Sequence, residues 1–208
     1  MIGRLSRARR GCELLLAVAA VCLLAACLTP AALAGSPVAG GTVTLLTDPS
    51  QSESMFLGGI APFFVPPATL RLTDDAWRFR FPISGGNLDA ATGVGSVNAR
   101  GGLVLWGRET MSAWLQLSFT TLVVTTGAHP ALSGLFWLSG KHRRVLATLD
   151  MSHAVTTSSR RGGHDWLTAG HVPARRSTWL KRQLTSNFPR YHTYNSRLGT
   201  VTVRARLK

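Results

Sequence analysis

The feature that most limits the fold of this chain is an alternation of apolar and polar side chains with a period of two residues. Between Ala76 and Ile83, aromatic and aliphatic residues occupy every second position, and arginines and a proline stand between them. The same alternation returns between Gly199 and Leu207, where Thr and Arg separate the apolar residues. Successive side chains of a strand point to opposite faces, so each segment predicts a β-strand with one buried face.

Further short segments of this kind follow one another along the chain. They cover residues 42–47, 94–99, 103–106, 111–119, 122–125, 135–138 and 145–149. The glycine pairs Gly85-Gly86 and Gly101-Gly102 are interpreted as turns between strands. A short helix is an option over Gln51–Phe56, and the prolines between Pro62 and Pro67 indicate an irregular stretch. Short, evenly spaced strands favour a sandwich or a barrel, and we expect an all-β antiparallel β-sandwich.

The period changes only near the end of the chain. After Met151 the alternation loosens, and residues 158–163 are interpreted as a polar, basic loop. Between Ser177 and Phe188 the apolar residues recur at a spacing of three to four, which is typical of a helix. Ser177 or Thr178 can cap its start, and Pro189 follows its end. We therefore predict one short C-terminal helix before the last strand.

The first 34 residues have the organisation of an export signal. Four arginines precede an apolar run from Leu14 to Leu28, which is 15 residues long. A membrane-spanning helix needs about 20 apolar residues, so the run predicts a signal peptide rather than an anchor. Cleavage after Ala34 would start the chain at Gly35. Alternatively, Leu24-Ala25-Ala26-Cys27 resembles a lipobox, which makes Cys27 a candidate for lipidation.

These features predict the organisation of the rest of the chain. Residues 1–34 are the signal peptide, residues 35–41 are a flexible leader rich in Ser, Pro and Gly, and residues 42–208 form one β-sandwich domain. All three cysteines lie within residues 1–34. The exported domain therefore has no disulfide, although its compartment permits one. We expect a secreted or cell-surface location, with membrane attachment only through a lipid anchor.

The charge is divided unevenly along the exported part. Residues 35–138 hold five Arg and six Asp or Glu, a net charge of −1, whereas residues 139–208 hold 14 Lys or Arg and two Asp, a net charge of +12. Such asymmetry indicates contact with an anionic partner. Outside the cytoplasm that partner is an envelope polymer or a lipid headgroup, and nucleic acid is not expected. A genome-wide preference for Arg is the alternative explanation.

The order of several motifs resembles that of secreted actinobacterial proteins with HtaA-like domains. The motifs are Gly41–Leu45, Phe81–Asp89, Thr92–Val97, Gly101–Leu105, Arg144–Ser152, Asn187-Phe188 and Leu198–Val203. The resemblance covers most of residues 41–204. It implies a β-rich domain and, for the family proper, haem binding in haem uptake with a Tyr ligand supported by His. That Tyr lies early in the family's domain, whereas residues 51–64 of this chain contain none. No ligand is therefore carried over.

The two tyrosines of the chain lie in the sequence Tyr191-His192-Thr193-Tyr194. A phenolate or an imidazole can serve as an axial haem ligand, so haem is the candidate cofactor and these residues are candidate ligands. The alternative is a surface loop between the C-terminal helix and the last strand.

No set of residues predicts catalysis or a metal site. The histidines are spread along the chain without the spacing that converging zinc ligands show. Asp150 precedes Ser152-His153, but proximity in sequence does not make a catalytic triad. Among the tryptophans, we expect Trp77 and Trp106 in the core and Trp179 packed against the sheet.

The sequence therefore predicts an exported, non-enzymatic domain of the cell envelope that binds an anionic envelope component. A haem-binding module of a haem-uptake system is the alternative. Composition and spacing leave the ligand, the fate of Cys27 and the oligomeric state open.

Overall fold

A computed structural model of the chain describes residues 35–208, apart from residues 74, 109–113, 138–141 and 193–194. The export signal, both cleavage sites and Cys27 lie outside the described residues and stay predictions. Eleven strands and two α-helices occur in the described part. They are β1 (Ser36–Thr47), α1 (Pro49–Leu57), β2 (Ile60–Val65), β3 (Thr69–Leu72), β4 (Trp77–Leu88), β5 (Gly95–Arg108), β6 (Trp114–Thr125), β7 (Ala131–Phe136), β8 (His142–Leu149), β9 (Val155–Arg161), β10 (His164–Arg176), α2 (Thr178–Asn187) and β11 (Arg197–Leu207).

Eight of these strands form a closed antiparallel β-barrel. Their order is β5-β6-β7-β8-β10-β11-β1-β4, and β4 pairs with β5 to close the ring. The closing register places Ile83 opposite Ala99 and Leu88 opposite Gly95. The expected β-sandwich is therefore wrong: the fold is all-β and antiparallel, but it is a barrel. The alternation of side chains indicates which face of each strand is buried, and that face is the same in both architectures.

The sandwich was predicted because two glycine pairs were interpreted as turns between strands. Gly85-Gly86 lies inside β4 and Gly101-Gly102 lies inside β5, and the register shifts at both places. Such β-bulges bend a strand and increase its twist, which is how a long strand curves around a barrel. Gly86 has φ +131°, and a Cβ at this position would lie 2.2 Å from the carbonyl oxygen of Ser96.

Three strands outside the closed ring extend the barrel, and the sequence pattern did not predict them. β2 pairs with β5 and β3 pairs with β4, so the stretch between Pro62 and Pro67 is partly a strand rather than irregular. β9 pairs with β10 and includes residues 158–161 of the loop expected at residues 158–163; only residues 162 and 163 form a turn. Residues 36–41, expected as a flexible leader, form the first half of β1.

Side chains fill the interior of the barrel. Phe79, Phe81 and Phe119 are almost completely buried. A residual cavity near the helices measures only about 20 Å³ and is lined by apolar side chains and Thr47. A small-molecule site in proteins usually occupies about 300 Å³ or more, so this interior cavity is too small for such a ligand.

The two helices cover one end of the barrel. α1 follows β1 directly and buries Met55, and α2 buries Leu180 and Leu184. The predicted C-terminal helix is confirmed, with Ser177 capping its first turn through a hydrogen bond from the Leu180 amide, 3.0 Å long. Trp179 packs edge-on against Phe136, with ring centroids 4.9 Å apart, as expected. Neither helix is long and apolar enough to cross a membrane, and the described residues contain no other helix that is.

Candidate functional site

The outer side of α1 presents two large apolar side chains to solvent. Asp48 caps the helix by accepting hydrogen bonds from the amide and hydroxyl of Ser50, and Pro49 occupies the first turn. The inner side buries Gln51 and Met55. On the outer side, Phe56 is 75% exposed and Leu57 is 70% exposed. Exposed aromatic and aliphatic residues on consecutive positions of a helix are typical of a binding surface.

The segment that follows α2 runs alongside α1. Gln51 Nε2 donates a 2.7 Å hydrogen bond to the hydroxyl of Tyr191, and Ser54 Oγ donates to the main-chain carbonyl of His192. Further along, Asn195 Nδ2 donates to Ser50 Oγ over 3.1 Å. These bonds position Tyr191, His192 and Asn195 beside the helix that residues 49–57 form, although more than 130 residues separate them from it in the sequence.

The close approach of the two segments requires a glycine at the end of α1. A Cβ on Gly58 would lie 3.0 Å from the Cα of Tyr191 and 3.1 Å from the carbonyl oxygen of Ser54. Both of those atoms belong to the backbone and cannot rotate away. The contact therefore depends on the absence of a side chain at residue 58.

Tyr191 is buried, with only 3% of its surface exposed. Its hydroxyl accepts hydrogen bonds from Gln51 Nε2 and from a guanidinium nitrogen of Arg176, which lies at the end of β10. Burial lowers the pKa of Arg176, and the contact with Tyr191 partly opposes that shift. The surface-loop interpretation is therefore wrong for Tyr191. Because its hydroxyl is engaged in the core, Tyr191 is also not placed to bind an external metal ion.

His192, by contrast, is exposed beside α1. Its carbonyl is held by Ser54, and Leu57 lies on the same side of α1 as Ser54, three residues further along the helix. Arg190, also exposed, lies two residues before His192. Tyr194, the other candidate ligand, lies outside the described residues. The structure thus places the main chain of His192 beside α1 and leaves its side chain exposed.

A groove lies on the other flank of α1, between the helix and the β3–β4 connection. Its volume is about 480 Å³. The apolar part of its lining includes Phe56, Leu72 and Trp77, whereas Glu53 and Asp75 make the rim acidic. The exposed side chain of Phe56 therefore borders this groove, and the exposed side chain of Leu57 follows it at the end of the helix.

The residues considered for catalysis form a local turn. Asp150 caps a 3₁₀ turn over Met151–His153, and it accepts hydrogen bonds from the amide and hydroxyl of Ser152, the latter 2.5 Å long. This bond from Ser152 is the main reason that the pKa of Asp150 lies below its usual value. His153 Nε2 is 3.9 Å from the same carboxylate. Because Ser152 and His153 both contact Asp150, the carboxylate stabilises the turn, and this is not the relay of a triad.

The tryptophans are divided between the core and the surface, and the described histidines are exposed without converging on one point. Trp77 is buried as expected, but Trp106 is 37% exposed, so its expected core position is wrong. It meets Phe63 of β2 edge-on at 5.8 Å. Within the described residues, no group of three or more His, Cys, Asp or Glu side chains converges to form a metal site.

A closed antiparallel barrel with helices over one end is the class of fold that these residues define. The chain is similar to the C-terminal domain of HtaA from Corynebacterium glutamicum, at 15% identity and a TM-score of 0.52, over 81% of this chain and 99% of that one. It is also similar to the haem-binding protein HtaB of the same organism, at 14% identity and a TM-score of 0.47, over 83% and 95% of the two chains.

A third similar structure is a domain-swapped dimer of a variant of the HtaA C-terminal domain, at 16% identity and a TM-score of 0.47, over 73% and 86% of the two chains. No protein-family model matches the chain, and no curated protein matches it. The domain has an HtaA-like fold, as its motifs predicted.

Proposed function

We propose that this domain is a haem-binding module that holds its ligand on the outer side of α1, beside His192. The observation that carries the proposal is that Ser54 of α1 holds the main chain of the exposed residue His192 beside the helix that also exposes Phe56 and Leu57. The HtaA-like fold and the haem-binding protein HtaB suggest which ligand to test. The side chains of this chain itself support haem binding, which replaces contact with an anionic component as the first hypothesis.

An external surface is where such a ligand fits this barrel. The apolar cavity in the interior holds only about 20 Å³, whereas the surface around α1 offers a groove of about 480 Å³ and two exposed apolar side chains. Burying apolar surface stabilises a complex by about 25 cal/mol per Å². Covering the exposed side chains of Phe56 and Leu57 with a flat, apolar ring system would therefore contribute most to the free energy of binding.

Two polar groups near α1 are of the chemical types that bind the iron and the propionates of haem. An imidazole is a common axial ligand of haem iron, and His192 supplies one at the edge of the apolar surface. The guanidinium group of Arg190 is exposed nearby in the chain and is suited to a propionate carboxylate. His192 would hold the iron of a bound haem through its imidazole. The protein itself then positions and shields the ring, which is binding rather than catalysis.

The proposal includes a location outside the cytoplasm. That part rests on the signal sequence of residues 1–34, with Cys27 as the candidate site of a lipid anchor. An exported haem-binding module holds haem at or beyond the cell surface, where a haem-uptake system collects it.

The test is a titration of the purified protein with hemin, followed by the Soret absorbance. We expect a saturable shift at a 1:1 ratio that differs from free hemin. His192→Ala should weaken binding at least about tenfold, which corresponds to about 1.4 kcal/mol, and should change the position of the band because a ligand is lost. Phe56→Ser combined with Leu57→Ser should weaken binding while leaving the band position unchanged.

His164→Ala is the matched control, because His164 is exposed but lies at the start of β10, in the hairpin with β9. It should bind hemin like the unmodified protein. Equal losses in His192→Ala and His164→Ala would contradict the proposed site. A titration that shows no shift beyond that of free hemin would remove the haem proposal altogether.

A further inference from the structure

The barrel brings arginines from distant parts of the chain onto one outer face. In β4 the odd-numbered residues from Trp77 to Ile83 point inward, so Arg78 and Arg80 point outward and are exposed. In β11 the same alternation turns Arg204 and Arg206 outward; Arg204 is exposed and Arg206 is half-buried. β1 lies between these two strands and pairs with both. We call this surface the Arg–Thr face; its members are Arg78, Arg80, Thr44, Thr202, Arg204 and Arg206.

The register of the three strands fixes how these side chains are arranged. Thr44 of β1 lies opposite Arg80 of β4 on one side and opposite Thr202 of β11 on the other. Neighbouring outward residues on one strand are about 7 Å apart, and residues two strands away are about 10 Å apart. The guanidinium groups are therefore spread over the sheet, with hydroxyl groups between them, and do not converge on a single small anion.

Among the described residues, no acidic side chain forms an ion pair with this face. At the described outward positions of β4, β1 and β11, there is no Asp or Glu. The ion pairs seen in the described residues involve Asp48 and Asp150, and neither contacts Arg78, Arg80, Arg204 or Arg206. Arg204 instead lies over the ring of Trp166, 4.9 Å from its centroid, which orients one guanidinium group across the surface.

The arginines of this face come from both parts of the sequence, the nearly neutral part and the basic last third. Arg78 and Arg80 come from residues 35–138, whose net charge is −1, whereas Arg204 and Arg206 come from the basic last third. Folding therefore adds two arginines from outside the basic last third to this positive surface. Conversely, Lys181 and Arg182 belong to the basic run but lie on α2, away from the three strands.

We infer that the Arg–Thr face binds a polyhydroxylated anionic polymer, with arginines contacting its carboxylate or phosphodiester groups and threonines contacting its hydroxyl groups. Charges spaced along a rigid sheet match a repeating polyanion, because each arginine meets a separate anionic group. A lipid surface is less suited to this face. Its larger apolar side chains, Leu46 and Trp166, are half-buried and not free to insert between lipids.

The test measures binding of the purified protein to four probes: polygalacturonate, poly(glycerol phosphate), neutral dextran, and vesicles of phosphatidylglycerol and phosphatidylcholine. We expect binding to at least one of the two anionic polymers, weakening as salt is raised because screening shortens the reach of exposed charges. Preference for one polymer distinguishes carboxylate from phosphodiester recognition. Dextran should not bind.

The decisive comparison uses two variants that each lose two positive charges. Arg78→Gln with Arg80→Gln should weaken polymer binding about three- to tenfold, the range expected for two exposed charge contacts. Lys181→Gln with Arg182→Gln removes the same charge from the basic run and should leave binding nearly unchanged. All four residues are exposed, and unchanged circular dichroism and thermal unfolding will show that both variants fold.

Equal losses in the two variants would overturn the inference, because they would point to net charge alone. Binding to vesicles without binding to either polymer would overturn it as well, and so would binding to none of the four probes. The result does not depend on haem, since neither pair of substitutions touches Phe56, Leu57 or His192.

Discussion

A single phenol oxygen connects three parts of the domain. The hydroxyl of Tyr191 accepts hydrogen bonds from Gln51 on α1 and from Arg176 at the end of β10. The sequence around Tyr191 is polar and basic, so it indicated a surface loop. Its burial depends on Gln51, which is 140 residues away, and no local pattern reveals such a partner. The same distance explains why His192 could be proposed as a ligand from its chemistry but not placed beside α1.

Tyr191→Phe should destabilise the domain by about 1–3 kcal/mol, because it leaves the buried amide of Gln51 and the buried guanidinium of Arg176 without this acceptor. Chemical denaturation followed by circular dichroism measures the difference. In an Arg176→Met background, the cost of Tyr191→Phe should be smaller, since one of the two donors is already gone. An equal cost in both backgrounds would show that the hydrogen bond to Arg176 contributes little.

At the scale of elements, the sequence predicts those strands and helices that alternate burial in a regular way. The alternation between Trp77 and Ile83 and the helical spacing after Ser177 both correspond to observed elements. β9 was missed because all seven of its residues are exposed, so no apolar pattern marks it. β2 was missed because it contains Pro62, which an edge strand tolerates but which usually argues against a strand.

The bulge in β4 gives a prediction about curvature. Gly86→Ala should destabilise the domain by about 2 kcal/mol or more, because a Cβ there meets the carbonyl oxygen of Ser96 at 2.2 Å and φ is +131°. Thermal unfolding measures the loss. Gly127→Ala is the control: its Cβ would meet only a methyl group of Val94 at 3.6 Å. If both variants unfold at the same temperature, the bulge does not constrain this strand.

At the scale of the whole molecule, the closure of the sheet is what the sequence did not determine. Burial of one face per strand fits two stacked sheets and a ring equally well, and the pairing of β4 with β5 decides between them. The prediction of a charged surface from the sequence had the same limit. A count along the chain finds the basic last third, whereas the Arg–Thr face appears only when β4 and β11 are placed on either side of β1.

The closed ring should also be visible in amide hydrogen exchange. Strands paired on both sides, such as β11 and β1, should exchange only on global unfolding. β9 is paired on one side and fully exposed, so its amides should exchange at least about a hundredfold faster than those of β11. Exchange measured by mass spectrometry or NMR gives the comparison. Similar protection in β9 and β11 would mean that the barrel and its added strands unfold as one unit.

The pairing of β1 with β11 has a consequence for how this domain is carried. At one end of this pair, the amide of Lys208 donates to the carbonyl of Pro37, and at the other end Asp48 leads into α1. Ser36 and Lys208 therefore lie side by side, at the opposite end of β1 from α1. Both ends of the described domain are thus points of attachment that lie away from Leu57 and His192.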